Sequence, residues 1–254
     1  MGRAYCLVSI SPVRLEPKDS SEMVTQLLFG EPVTIEKSFG QWAKIKTILD
    51  SYTGYCDHKH LKELPTQEFN NWKEGHGFLQ NETLLIHTPW GPQKILRGSF
   101  IPQQSKDIFQ LGNERFIFSE EPKKFHWDNI VQAATAYLNT PYLWGGKTPF
   151  GIDCSGLTQT VLRFFGKNIP RDASQQIDFG QQVDFGEHRA GDLAFFHNAE
   201  GKIIHVGFCM GIDQIIHASG RVRIDVLDRN GIINSESNQQ SHVLHSIRRP
   251  IDLH

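Results

Sequence analysis

The sequence predicts an α+β protein: two small β-barrels, then a domain of helices packed on an antiparallel sheet. Three observations predict it. Residues up to about 120 read as short β-rich runs cut by Gly, Pro and Asp, the pattern of small barrels. From residue 125 two segments switch to an apolar period near 3.6. After about residue 190 strand patterns return without helices between them, which suggests an antiparallel sheet. A chain of 254 residues has room for two or three such domains.

The first barrel is expected over 1–65. VSISPVRL alternates and EPKDSSE is a polar loop. FGEPVTIEKSFGQWAKIK gives two strands around a tight Phe39-Gly40 turn, and SYTGYCDHKHL a further strand and turn. TQEFNNWKEG, residues 66–75, is polar and reads as a linker. The second barrel is expected over 66–123, from TLLIHT, QKILRGSFI, DIFQLG and ERFIFSE, and Pro122-Lys123-Lys124 marks its end.

The third domain takes 124–254. WDNIVQAATAYLN, from Trp127 to Asn139, puts Ile130, Val131, Ala134, Tyr137 and Leu138 on one helical face, and Pro141 ends it. A second helix over 153–165 carries Leu157, Val161, Phe164 and Phe165 at helical spacing. Asp153 is its N-cap and Gly166 its stop. DLAFFH, KIIHVGFCM, QIIHAS, RIDVL and LHSIRR supply the strands.

A formal net charge of −2 gives no electrostatic reason to expect nucleic acid or an anionic membrane as partner. No apolar run approaches the roughly 18–20 residues that span a bilayer. MGRAYCLVSISPV lacks the apolar core and cleavage site of a secretory leader, and residue 6 is Cys where N-myristoylation wants Ser or Thr. A cytoplasmic location is expected, although a chain trimmed of its leader would read the same. Cys6, Cys56, Cys154 and Cys209 form no CxxC pair, so neither a zinc site nor a disulfide framework is expected. Nothing fixes the oligomeric state.

GIDCSGL, residues 151–157, raises the chemical question. If Asp153 caps the helix, Cys154 is its first residue, where free N–H groups and the positive dipole end favour a thiolate. Gly156 lets another backbone come close. Alone, such a cysteine is more often a small buried filler. A base changes that balance. His205 in IIHVG and His217 in IIHAS lie on strands joined by the turn GIDQ, and antiparallel pairing brings both to one face. One imidazole takes the thiol proton and the other fixes its orientation, against the plainer reading of two strand histidines with backbone partners. His58, His60, His242 and His245 show no metal-ligand spacing.

GIDCSGL, RDASQQ, AGDLAFF, HVG and IIHASG, in this order, resemble the NlpC-type cell-wall cysteine peptidases, a papain-like clan acting on bacterial murein peptides. The resemblance covers about 125–254. The upstream segments resemble bacterial SH3-like modules, a layout similar to γ-D-glutamyl-L-diamino-acid endopeptidases. It implies Cys154 as nucleophile, His205 as general base, His217 as orienting residue and Tyr142 in the oxyanion region. Trp144 would wall the site. Asp153, Ser155 and Asp172 would help hold the free amino terminus of L-Ala-γ-D-Glu, and Arg171 is a candidate partner for the D-Glu carboxylate. Glu22 and Tyr55 match residues through which the first module closes on substrate. The partner implied is a murein peptide with a free N-terminal L-Ala, and no cofactor or metal is implied. The rival readings are a thiol amidase or acyltransferase on other amides, and a wall-binding protein.

Overall fold

The computed structural model describes residues 2–123 and 128–250. It divides into two units, Met1–His126 and Trp127–His254. The expected boundary at 123/124 and the expected helix start at Trp127 lie at or within residues outside the described set.

The first unit begins with β1 (Gly2–Cys6), β2 (Ile10–Arg14), β3 (Met23–Leu28), β4 (Pro32–Phe39), β5 (Trp42–Thr47), β6 (Thr53–Asp57) and β7 (Leu61–Glu63). These form one sheet in the order β3-β2-β6-β5-β4-β1-β7. The expected turn joins β4 to β5, pairing Phe39 with Trp42. Gly40 there has φ +58, which glycine adopts without strain. Inward residues at alternate positions, among them Val13, Val33, Ile35, Ala43, Ile45 and Cys56, make the core of this sheet.

Residues 66–75 are not a linker. They form α1 (Thr66–Gly75), which buries Phe69 and Trp72. The i, i+3 spacing of these two rings gives a narrow apolar stripe inside a polar segment. Next come β8 (His76–Phe78), β9 (Thr83–Thr88), β10 (Gly91–Leu96), β11 (Phe100–Pro102), β12 (Ile108–Leu111) and β13 (Glu114–Phe118). They make a four-stranded sheet, β10-β9-β13-β12, and a two-stranded one, β11-β8. Their core is shared with the first strands, because Tyr5 and Phe29 join Phe69, Trp72, Phe100, Phe109 and Phe116 in one cluster.

The second unit starts with α2 (Ile130–Thr135), capped by Asn129, whose side chain accepts from the Gln132 N–H. This helix is shorter than expected. After Thr135 the chain tightens into i→i−3 bonds, Tyr137 to Ala134 and Leu138 to Thr135, and turns at Asn139 with φ +67. Ile130, Ala134 and Tyr137 are buried, whereas Leu138 is 40% exposed. A short ribbon follows, β14 (Lys147–Thr148) with β15 (Gly151–Ile152), and leads into α3 (Cys154–Phe164). Gly166 ends α3 as expected, at φ +73 with its N–H on the Arg163 carbonyl. α4 (Ala173–Gln176) is a single turn.

The strands are β16 (Gln181–Val183), β17 (Leu193–His197), β18 (Ile203–Cys209), β19 (Gln214–Ser219), β20 (Arg221–Asp228), β21 (Gly231–Asn234) and β22 (Gln239–Arg249). They are antiparallel, as expected, but the sheet is closed: β22 pairs with both β17 and β21, making a six-stranded barrel with β16 added on β22. Closure removes the two sheet edges. The period of two then sorts every strand. Leu193, Phe195, Val206, Phe208, Ile216, Ala218 and Val222 face outward onto the helices. Ala194, Phe196, Cys209, Ile215, Leu227, Ile232 and Ile247 form a separate cluster on the opposite, inner face.

Candidate active site

Two constructions meet at the start of α3. The first is the helix start itself. Asp153 caps α3, its Oδ1 accepting from the Gly156 N–H at 2.6 Å. Its Oδ2 accepts from the Gly145 N–H at 2.7 Å, which ties the TPYLWGG loop to the helix. Arg171 closes the cluster, with Nη1 3.0 Å from Oδ1 and Nη2 2.6 Å from Oδ2. Ser155 Oγ accepts from Arg171 Nη1 at 2.9 Å and donates to Asp153 Oδ1 at 3.3 Å.

This network gives three of the predicted site residues partners within the protein. Arg171 is 1% exposed and Asp153 5%, so each charge is neutralised by the other in the interior. Asp153 and Ser155 therefore hold the helix start, with Arg171 hydrogen-bonded to both. Glycine fills the two closest approaches: a Cβ on Gly156 would stand 2.3 Å from the Gly146 carbonyl oxygen, and one on Gly146 2.5 Å from that of Gly151.

Cys154 is buried within the cluster formed by the helices and the outer barrel face. Burial pushes its thiol up to about 12, helped by Asp153. The main-chain N–H groups of Val206 and Ser155, and Arg171, pull the other way. The expected helix-start depression is thus outweighed by burial, and the resting group is a thiol. The Val206 N–H aimed at the sulfur also sets Cys154 against β18, one residue from His205. Tyr142 lies close by: burial, then the proximity of Cys154 and Asp153, raises its hydroxyl pKa and keeps it a donor. Its N–H holds the Gly220 carbonyl at 2.9 Å.

The second construction is a line of polar side chains on the inner barrel face. Gly207 pairs with His217, and His217 with Arg223. By period two, His205, His217, Arg223 and Asp225 share one face. His205 Nε2 lies 2.8 Å from His217 Nδ1. His217 Nε2 lies 3.0 Å from Asp225 Oδ2. Gly207 makes the first contact feasible, since a Cβ there would meet that of His217 at 2.8 Å. Asp225 also accepts from Arg223 Nε at 2.8 Å, Arg223 Nη2 at 3.0 Å and the Ser235 N–H at 2.9 Å. These donors hold its carboxyl well below the usual range against the opposing effect of burial. Burial, with His217 and His242 adding, lowers the His205 pKa well below that of an ordinary imidazole. His242 stacks on His205 at 4.2 Å.

Of the predicted residues, His205 and His217 are hydrogen-bonded to each other, and Cys154 lies near Tyr142 and against the main chain of Val206, the neighbour of His205. Asp225, Arg223 and His242 were missed. The signal for the first two was present in RVRIDVL, where alternation from the Gly220 turn puts positions 223 and 225 on the His217 face. Asp172 precedes α4, but its side chain makes no capping bond there, and it is half-buried near Arg171. Trp144 is 60% exposed on the loop before the nucleophile helix. In the first unit, Tyr55 is level with Arg14, which is level with Met23, next to the exposed Glu22. Tyr55 packs edge-on against Phe39. Among the described residues no cluster of His, Cys, Asp and Glu could hold a metal ion, and no helix is long and apolar enough to cross a membrane.

A buried thiol at a helix start, set against a strand bearing a paired imidazole, is an arrangement suited to thiol-based hydrolysis. The model of the NlpC/P60 family matches residues 139–240, and that of the bacterial dipeptidyl-peptidase Sh3 domain matches 13–61. The chain is 29% identical over 213 residues to the γ-D-glutamyl-L-lysine dipeptidyl-peptidase of Bacillus subtilis, covering 76% of this chain and 71% of that one. It is 26% identical over 229 residues to the protein of that name from Bacillus cereus, covering 79% and 68%. The crystal structure of an NlpC/P60 family protein from Bacillus cereus superposes with a TM-score of 0.80 at 22% identity, covering 98% of this chain and all of that one, which shows a shared fold. The chain carries an NlpC/P60 cysteine peptidase domain, with a bacterial dipeptidyl-peptidase SH3-type domain before it.

Proposed function

We propose that the protein hydrolyses the bond between γ-D-Glu and an L-diamino acid in peptidoglycan peptides that carry a free N-terminal L-Ala. The observation that carries this reading is the buried Cys154 thiol against the strand of the His205–His217 pair. The substrate class comes from relatives named γ-D-glutamyl-L-lysine dipeptidyl-peptidase.

In this mechanism thiol and imidazole rest neutral. His205 removes the Cys154 proton as sulfur attacks the γ-carbonyl carbon. The Cys154 N–H and the Tyr142 hydroxyl donate to the developing oxyanion. His205 then protonates the leaving amine of the diamino acid, and the dipeptide stays as a thioester. Water, deprotonated by His205, releases L-Ala-D-Glu and restores the thiol. No metal or organic cofactor takes part. The half-buried Asp172 carboxylate receives the substrate ammonium, and Trp144 flanks the peptide.

The segment around β8–β13 is read as a second SH3-like module after the first, and the peptidase domain as papain-like. Free peptides of this kind arise when cell-wall fragments are broken down, so a cytoplasmic place of action fits the substrate. No nucleic acid or membrane partner is invoked.

The test is product analysis by mass spectrometry on L-Ala-γ-D-Glu-L-Lys and its N-acetylated twin. Cleavage after D-Glu of the free-amine peptide alone is expected. Equal cleavage of both would remove the amino-terminus requirement, and cleavage of neither by folded protein would remove the substrate assignment.

A further inference from the structure

We propose that Asp225 is a positioning residue that fixes the protonated nitrogen of both histidines, so that His205 offers a bare Nδ1 to the Cys154 thiol. This inference rests on the proposed roles of Cys154 and His205.

The Asp225 side chain is 1% exposed and lies 2.8 and 3.0 Å from two nitrogens of Arg223. A carboxylate beside a guanidinium is ionised and can only accept. His217 Nε2, 3.0 Å from Oδ2, must therefore carry a proton. In neutral His217 the other nitrogen, Nδ1, then holds a lone pair. That lone pair faces His205 Nε2 at 2.8 Å, so His205 Nε2 carries the proton of that bond. The nitrogen left on His205 is Nδ1, bare and basic. One buried acid sets both tautomers through two hydrogen bonds.

The rest of the environment serves the same end. Arg223 Nη1 reaches Glu236 at 3.1 Å, and Glu236 takes Arg221 at 2.6 Å, which anchors the guanidinium. The Ser235 N–H fixes the second carboxylate oxygen at 2.9 Å. Asp225 thus cannot rotate away from His217 without also disturbing its bonds to Arg223 and to the Ser235 N–H. Without Asp225, His217 could carry its proton on Nδ1 and turn the His205 bond around, which would put a proton on the nitrogen that must act as base.

The test reads tautomers directly. Full-length protein with nitrogen-15-labelled histidine is compared with Asp225→Ala by two-dimensional NMR, with steady-state kinetics on L-Ala-γ-D-Glu-L-Lys alongside. Wild-type His217 and His205 should both show the Nε2–H form. In Asp225→Ala that single form should be lost, and kcat should fall roughly 10- to 10³-fold with KM within about twofold. Protonated His217 Nδ1 in the wild type would overturn the proposal, and so would unchanged tautomers and kcat in a folded variant. Should Asp225→Ala not fold, the wild-type spectrum still decides, and Asp225→Asn, which keeps the side-chain volume, takes its place. The spectra need no substrate, so loss of the peptidase reading and loss of this proposal give different results.

Discussion

Asp153 adjoins Cys154 in sequence, whereas Asp225 lies on β20, far along the chain. Each meets an arginine in the interior, Arg171 for the first and Arg223 for the second. Their remaining bonds differ. Asp153 gives its oxygens to the main chain at Gly145 and Gly156, so its cluster is architecture that places the thiol. Asp225 gives an oxygen to His217, and through it reaches the imidazole of His205. Nearness in sequence to a nucleophile therefore does not identify the acid that acts in the chemistry. The side chain at the far end of each network does.

Substitutions can break that comparison. His205→Ala should have the largest effect on turnover, a loss of about 10³-fold or more in kcat with the fold retained. Circular dichroism with steady-state rates checks it, and near-normal turnover would break the base assignment. Asp153→Ala comes next and acts on stability. Removing the carboxylate that neutralises the buried Arg171 should cost about 3–5 kcal/mol, read as a lower denaturation midpoint. Gly207→Ala should cost about 1–3 kcal/mol, because the new methyl must push His217 aside, and it should lower kcat more than its stability loss alone would.

The smallest effect is on acid stability. Burial lowers the His242 pKa to about 4 and that of His205 well below the ordinary value. A histidine with a depressed folded pKa stabilises fully above its unfolded value of about 6.5 and loses this as pH falls toward the folded value. Thermal midpoints should thus fall between pH 6.5 and 4, and His242→Gln should flatten part of that slope. Asp225, also depressed, contributes to a later loss, below about pH 4.

Much of this was legible in the sequence. Strong punctuation set the elements: Gly40 for a hairpin, Asp153 and Gly166 for the ends of α3, alternation for β18 and β19. The place of Cys154 followed from helix-start signals, and the histidine pair from strand pairing. What was not legible depends on long-range pairing. Closure of the barrel by β22 needs contacts no local pattern encodes, and α1 hid because two rings in a polar segment make a weak stripe. The pairing of Asp153 with Arg171 was not read either, because the two lie 18 residues apart on different elements. Only burial reveals that each neutralises the other. Asp225 needed the register across Gly220, one residue of slip being enough to turn it outward.

The central claim is that Cys154 and its imidazole cleave the γ-D-glutamyl bond. The most direct measurement is mass spectrometry of L-Ala-γ-D-Glu-L-Lys after incubation with wild-type protein and with Cys154→Ala. Wild type should release L-Ala-D-Glu and free L-Lys, and the folded variant should release neither. Equal turnover by the variant, or cleavage by the wild type at another bond, would contradict the account.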